Sequence, residues 1–193
     1  MLENLKKYHV ILASQSPRRR ELLSGLGIDF EIRLLQDIDE SYPASLTGED
    51  IPLHIARTKA AAYLASLQED ELLITADTIV WLDNKVLGKP ENEEEAREML
   101  RTLSGRTHYV MTGVSITTPG RQHCFACTSE VQFDTLSDEE IDFYVRRFHP
   151  LDKAGSYGVQ EWIGYIGVKS IKGSYFNIMG LPVQRLYCEL KKW

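Results

Sequence analysis

Cysteine, an excess of basic charge and long apolar runs are all scarce in this 193-residue chain. The three cysteines, Cys124, Cys127 and Cys188, are an odd number in a chain too long to need a disulfide framework. Lysine and arginine together number 22 against 28 acidic residues, a net charge of −6, which excludes a bulk electrostatic grip on nucleic acid or an anionic membrane. No basic stripe interleaved with aromatics marks a nucleic-acid module. No apolar run approaches the length of a membrane span. Lys6 and Lys7 precede Val10-Ile11-Leu12-Ala13, but that run is too short for a signal peptide and reads as a buried strand. A cytoplasmic protein is expected. With 43% hydrophobic and 26% charged residues, and no repeat or low-complexity linker, residues 1–193 read as one continuous globular domain.

The periodicities alternate between helix and strand. Strands are expected at 9–13, 28–34, 72–76, 107–118, 122–133 and 163–171, with a small hairpin over 79–87. Helices are expected from Pro17 to about Leu26, from Glu49 to Leu67, from about Asn92, after Ser137 and from about Pro182. Three of them carry apolar stripes: Ile51, Ile55, Tyr63 and Leu67; then Ala96, Met99, Leu100 and Leu103; then Ile141, Tyr144, Val145 and Phe148. Residues 36–48 form a long polar loop, itself a functional candidate. The sum is a mixed-sheet α/β domain. Cys124-Phe125-Ala126-Cys127, beside His123, has zinc-like spacing but no second ligand pair, and reads as two ordinary thiols.

The sharpest local signal is Ser14-Gln15-Ser16-Pro17-Arg18-Arg19-Arg20. Ser16 is a good N-cap and Pro17 suits the first helical position, but three arginines at the positive end of a helix dipole oppose that dipole. The helix after Asn92 shows the usual solution, with Glu93, Glu94 and Glu95 in its first turn. The arginines make sense if a polyanion, phosphate first, sits there; the plainer reading leaves some of them, Arg20 first, facing solvent. Lys59 lies four residues from both Ile55 and Tyr63, as an edge lysine or as a ligand. Asp77 is expected at a strand end, and Lys89 and Lys153 stand in the glycine-containing segments 88–90 and 152–160. Local basic groups in an acidic chain point to a small anionic ligand, and the acids Asp37, Asp39, Glu40 and Asp77 point to a hard divalent cation, Mg²⁺ or Mn²⁺.

Leu12 to Arg19, Ala76-Asp77-Thr78, Gly88-Lys89-Pro90, Leu151 to Gln160 and Gly180-Leu181-Pro182 resemble, in order, blocks of the Maf family of nucleoside triphosphate pyrophosphatases. The resemblance runs from about residue 9 to residue 190. It implies an elongated, twisted mixed sheet flanked by helices, with two lobes around a central cleft, similar to inosine triphosphate pyrophosphatases. It also implies cleavage between the α- and β-phosphates, with a divalent metal as cofactor and the triphosphate as partner. No nucleic acid or membrane is implied, and a homodimer is left open. By the same resemblance Ser14, Arg18, Arg19, Lys59, Lys89 and Lys153 bind phosphates, Asp77 is the general base, and Glu40 with Asp77 holds the metal. Arg18, Thr78 and Gln160 match the specificity positions of the branch acting on dTTP and UTP. The alternatives are hydrolysis of 7-methyl-GTP or another modified nucleotide, or a nucleotide-binding regulator of cell division with little turnover. Against the first, the 7-methyl-GTP branch carries tryptophan where this chain has Arg18 and glutamine where it has Thr78. The donors and acceptors of Arg18, Thr78 and Gln160 suit uracil or thymine and mismatch cytosine, so CTP is expected to be a poor substrate.

Overall fold

The structure is a computed structural model that describes residues 2–193. The strands are β1 (His9–Leu12), β2 (Glu31–Ile32), β3 (Glu71–Leu82), β4 (Lys85–Leu87), β5 (Thr107–Thr118), β6 (Arg121–Phe133) and β7 (Val168–Lys172). The α-helices are α1 (Pro17–Ser24), α2 (Asp50–Tyr63), α3 (Glu93–Leu103), α4 (Asp138–Phe148), α5 (Trp162–Gly167), α6 (Tyr175–Met179) and α7 (Val183–Leu190). One seven-stranded mixed sheet has the order β2-β1-β3-β5-β6-β7, with β4 paired to β3. β1 runs parallel to β2 and β3, whereas β4 and β7 pair antiparallel to β3 and β6. Contacts group the residues into two compact units. The first comprises Met1–Asp77, Thr112–Cys127 and Gly180–Trp193, and the second Thr78–Met111 and Thr128–Met179.

In the first unit, Val10, Ile11 and Leu12 are buried, as an apolar strand inside a parallel ladder requires. Ile51, Ile55, Ala60 and Tyr63 bury the expected face of α2, and Ile11, Ala60, Tyr63 and Leu73 form a small core. Two contacts hold α2 to the sheet. Thr75 Oγ1 donates to the Ala56 carbonyl at 2.7 Å. Gly113 on β5 lies so close that a Cβ there would stand 2.4 Å from the Pro52 carbonyl, so α2 can rest on the sheet only because residue 113 has no side chain. Lys59, one turn beyond Ala56, is thereby carried over β3.

In the second unit the helices α3 and α4 start where the sequence placed them. Asn92 Oδ1 accepts from the Glu95 amide at the start of α3. Ser137 and Glu140 form a reciprocal capping box at the start of α4. Leu100 and Leu103 of α3 pack with Tyr144 and Val145 of α4 and with Val131 and Phe133 of β6 in one apolar core.

Four expectations change. β3 runs unbroken from Glu71 to Leu82, so Asp77 lies inside a strand rather than at its end. The strand expected at 28–34 shrinks to two residues, because only Glu31 and Ile32 pair, with Ile11 and Leu12. Residues 163–171 are helix α5 followed by strand β7. Helical spacing lets Ile163 and Gly167 share the buried face of α5, which outweighs the β preference of Ile163, Tyr165 and Ile166. Helix α6 went unread between β7 and Gly180. Among the described residues no helix is long and apolar enough to cross a membrane.

Candidate active site

The first unit gathers six of the ten residues proposed from the sequence. Ser16 caps α1, its Oγ accepting from the Arg19 amide at 3.4 Å, and Ser14, buried just before it, accepts from the Ser16 amide at 3.2 Å. No acidic residue occupies the first turn of α1, so within that turn the positive end of the helix carries only arginines. Arg18, Arg19 and Arg20 are all half-buried. Arg19 Nε donates to the Gly180 carbonyl at 2.8 Å, which fixes the guanidinium from behind. Burial lowers the Arg19 pKa from its ordinary value; Asp77 and Glu40 act to raise it, and Arg18 to lower it further. Those four charges therefore share one electrostatic neighbourhood.

At its centre is Lys59. Its ammonium lies 3.1 Å from Asp77 Oδ1 and 3.0 Å from Glu40 Oε2. Lys59 and Asp77 are mostly buried, at 14% and 15% side-chain exposure, while Glu40 reaches in from the exposed loop at 54%. Among the described residues Asp77 makes no hydrogen bond beyond that from Lys59, so its second oxygen is available to chemistry. Tyr63, one turn after Lys59 on α2, anchors the start of the acidic loop: its hydroxyl donates to the Arg33 carbonyl at 3.0 Å and accepts from the Leu35 amide at 2.9 Å. The sequence showed Tyr63 only as part of an apolar stripe.

The second unit holds Thr78, Lys89, Lys153 and Gln160. Thr78 follows Asp77 on β3 and is half-buried, as is Gln160. Lys89 is exposed, and the carbonyl of its neighbour Gly88 accepts from the Gly155 amide at 3.0 Å, tying that segment to the 152–160 loop. Gly155 turns there at φ +66°, with Val80 so close that a Cβ would lie 2.9 Å from its side chain. The buried Lys153 ammonium donates to Asp152 Oδ1 at 2.6 Å and lies 3.2 Å from Glu161 Oε1. Glu161 Oε2 in turn accepts from the Tyr144 hydroxyl, which itself accepts from the Gly158 amide at 3.0 Å. Burial, then the contact with Glu161, pushes the Tyr144 phenol well above its usual pKa, so it stays protonated and donates. Glu161 and Tyr144 were not foreseen as site residues.

Among the described residues no group of three or more His, Cys, Asp or Glu side chains is placed to hold a metal. Glu40 and Asp77 nevertheless offer two hard oxygen donors converging on one cation, the Lys59 ammonium. That set fits Mg²⁺ or Mn²⁺ bound beside a phosphate ligand, where one or two carboxylates suffice and phosphate and water complete the shell. At the other candidate, Cys124 donates to Ser115 Oγ while Cys127 lies near Arg185 and Glu189, so the two thiols do not converge.

A family model described as Maf-like protein matches residues 9–193. The chain is 65% identical over 192 residues to a protein of Phocaeicola vulgatus and to one of Bacteroides thetaiotaomicron, each named dTTP/UTP pyrophosphatase, with full coverage of both chains. A Flavobacterium johnsoniae protein of the same name is 46% identical, covering 96% of this chain and 95% of its own. Among solved structures, the Ham1 protein of Staphylococcus aureus aligns with a TM-score of 0.48 at 15% identity, over 65% of this chain and 71% of that one. With a family model spanning nearly every residue and relatives this similar along their whole length, the chain belongs to the Maf-like protein family.

Proposed function

We propose that this chain is a nucleoside triphosphate pyrophosphatase that hydrolyses dTTP and UTP to the monophosphate and pyrophosphate, with residues 1–193 acting as one catalytic domain. The reading rests on the Glu40–Lys59–Asp77 bracket beside the cation-rich start of α1, in a chain 65% identical to proteins named for that activity. Asp77 accepts a proton from water on the oxygen that Lys59 leaves unused, and the water oxygen attacks the α-phosphorus. The bond from the α-phosphorus to the bridging oxygen breaks, and the electron pair leaves with pyrophosphate. Arg18, Arg19, Lys89 and Lys153, with Ser14, hold the phosphates in line and spread the charge of the leaving group, which is most of what this reaction asks of a protein. Glu40 and Asp77 would hold a divalent cation, which when bound supplies further neutralisation at the phosphate oxygens. Lys59 keeps the two carboxylates from repelling one another until substrate arrives.

Arg18, Thr78 and Gln160 read the base. Incubation of the purified protein with UTP, dTTP, CTP, GTP and 7-methyl-GTP in the presence of Mg²⁺ tests the whole reading. UMP or dTMP with equimolar pyrophosphate from the first two, and much slower turnover of CTP, is the expected result. Release of orthophosphate, a preference for 7-methyl-GTP, or binding without turnover would each contradict it.

A further inference from the structure

Outside the residues given a role above, the Glu161 carboxylate is a tightly tied polar group of the second unit. It is 20% exposed and uses both oxygens, one toward the Lys153 ammonium and one for the hydroxyl of the fully buried Tyr144. Tyr144 completes the circuit by accepting the Gly158 amide, two residues before Gln160. The circuit thus closes the loop that carries both Lys153 and Gln160 onto α4, an element of the apolar core. An ammonium this buried has lost most of its water and goes where its counterions are. Of its two counterions, Asp152 is largely exposed, at 62%, and sits on the loop itself. Glu161 connects Lys153 to α4, a rigid part of the protein.

We infer that Glu161, braced by Tyr144, is a positioning residue that sets where the Lys153 ammonium meets the phosphate chain. The inference rests on the reading of Lys153 as a phosphate ligand. Glu161 touches no substrate in this account; it acts through Lys153. Glu161→Gln keeps an oxygen for Tyr144 and removes the charge that fixes the lysine, while Tyr144→Phe keeps the charge and removes the brace. Each is expected to weaken phosphate binding with a smaller effect on the chemical step.

The test is a double-mutant cycle read by KM and kcat for UTP and by calorimetric Kd for inorganic pyrophosphate, on variants whose thermal melts show a folded chain. Glu161→Gln should raise KM and the pyrophosphate Kd about tenfold, the size expected for losing a charged hydrogen-bonding partner, with kcat changed far less. Lys153→Met should raise both by at least as much. In the Lys153→Met background Glu161→Gln should then add almost nothing, because the group it positions is gone. Tyr144→Phe should show the same pattern more weakly, and supplies the answer if Glu161→Gln does not fold. If Lys153→Met weakens binding but Glu161→Gln does not, or if the two effects simply add, the positioning role is wrong and the phosphate role of Lys153 stands. If Lys153→Met itself leaves KM and Kd unchanged, the reading of Lys153 fails and the inference falls with it.

Discussion

Two lysines in this protein are each clasped by two carboxylates, and the clasps differ in one respect. Lys59 lies between Glu40 and Asp77, and Lys153 between Asp152 and Glu161. Each has one exposed and one inner carboxylate. The inner carboxylate of the second clasp is fully engaged, with Tyr144 holding the oxygen that Lys153 does not use. Among the described residues Asp77 has no such brace. In the proposed function the same three-charge motif serves two ends: an oxygen left unbonded takes a proton, whereas one bonded to a buried phenol holds its partner still. On that proposal surroundings, more than residue type, separate the reacting acid from the structural one.

Removing the reactive oxygen should give the largest effect. Asp77→Asn is expected to lower kcat by a factor of about a hundred or more while the melting temperature and the pyrophosphate Kd barely move. An unchanged kcat would show that the two clasps are alike after all. Next comes the cation at the head of α1: Arg19→Ala should weaken pyrophosphate binding roughly tenfold, by a margin that shrinks as salt is added. Because the first turn of α1 carries only positive charge, the same change should stabilise the ligand-free protein and destabilise the complex, which paired thermal melts would separate. Equal shifts in the two states would contradict an anion site.

Gln160→Ala moves attention to the braced side. It should shrink the preference for UTP over CTP by about tenfold in kcat/KM while slowing UTP turnover less, since the loss is of base recognition. Comparable kcat/KM for UTP and CTP in the unmodified protein would remove the hydrogen-bonding basis for selectivity. The smallest effect is expected at Tyr63, which anchors the start of the Glu40 loop. Tyr63→Phe should cost about 1 kcal/mol in urea unfolding and raise KM a few-fold, as Glu40 swings more freely about Lys59. A loss of stability with no change in KM would confine Tyr63 to the core.

The sequence was most informative where the physics is local. Apolar stripes at helical spacing placed the buried faces of α2, α3 and α4, and the starts read at Ser137 and near Asn92 marked two helices within a residue. The misplaced arginines of α1 were visible because a dipole rule was broken in plain sight. Features that depend on distant partners were not legible. Asp77 looked like a strand end because it directly follows an apolar run and Asp commonly begins a turn, yet β3 continues through it. Tyr144 and Glu161 stand 17 residues apart with no motif joining them, and α4 showed Tyr144 only as one more apolar position. Tyr63 reaches residues about 30 positions earlier in the chain, again without a local sign. The site's chemistry was written in motifs, whereas its supports were written only in the packing.

The central question is where water attacks and which group takes its proton. Hydrolysis of UTP in ¹⁸O-enriched water, followed by mass spectrometry of both products, tests this most directly when run on the unmodified protein and on Asp77→Asn. The expectation is one heavy oxygen in the UMP phosphate, none in pyrophosphate, and a rate of label incorporation that collapses in Asp77→Asn. Label in the pyrophosphate, which would mean attack at the β-phosphorus, or an undiminished rate in the variant would contradict it.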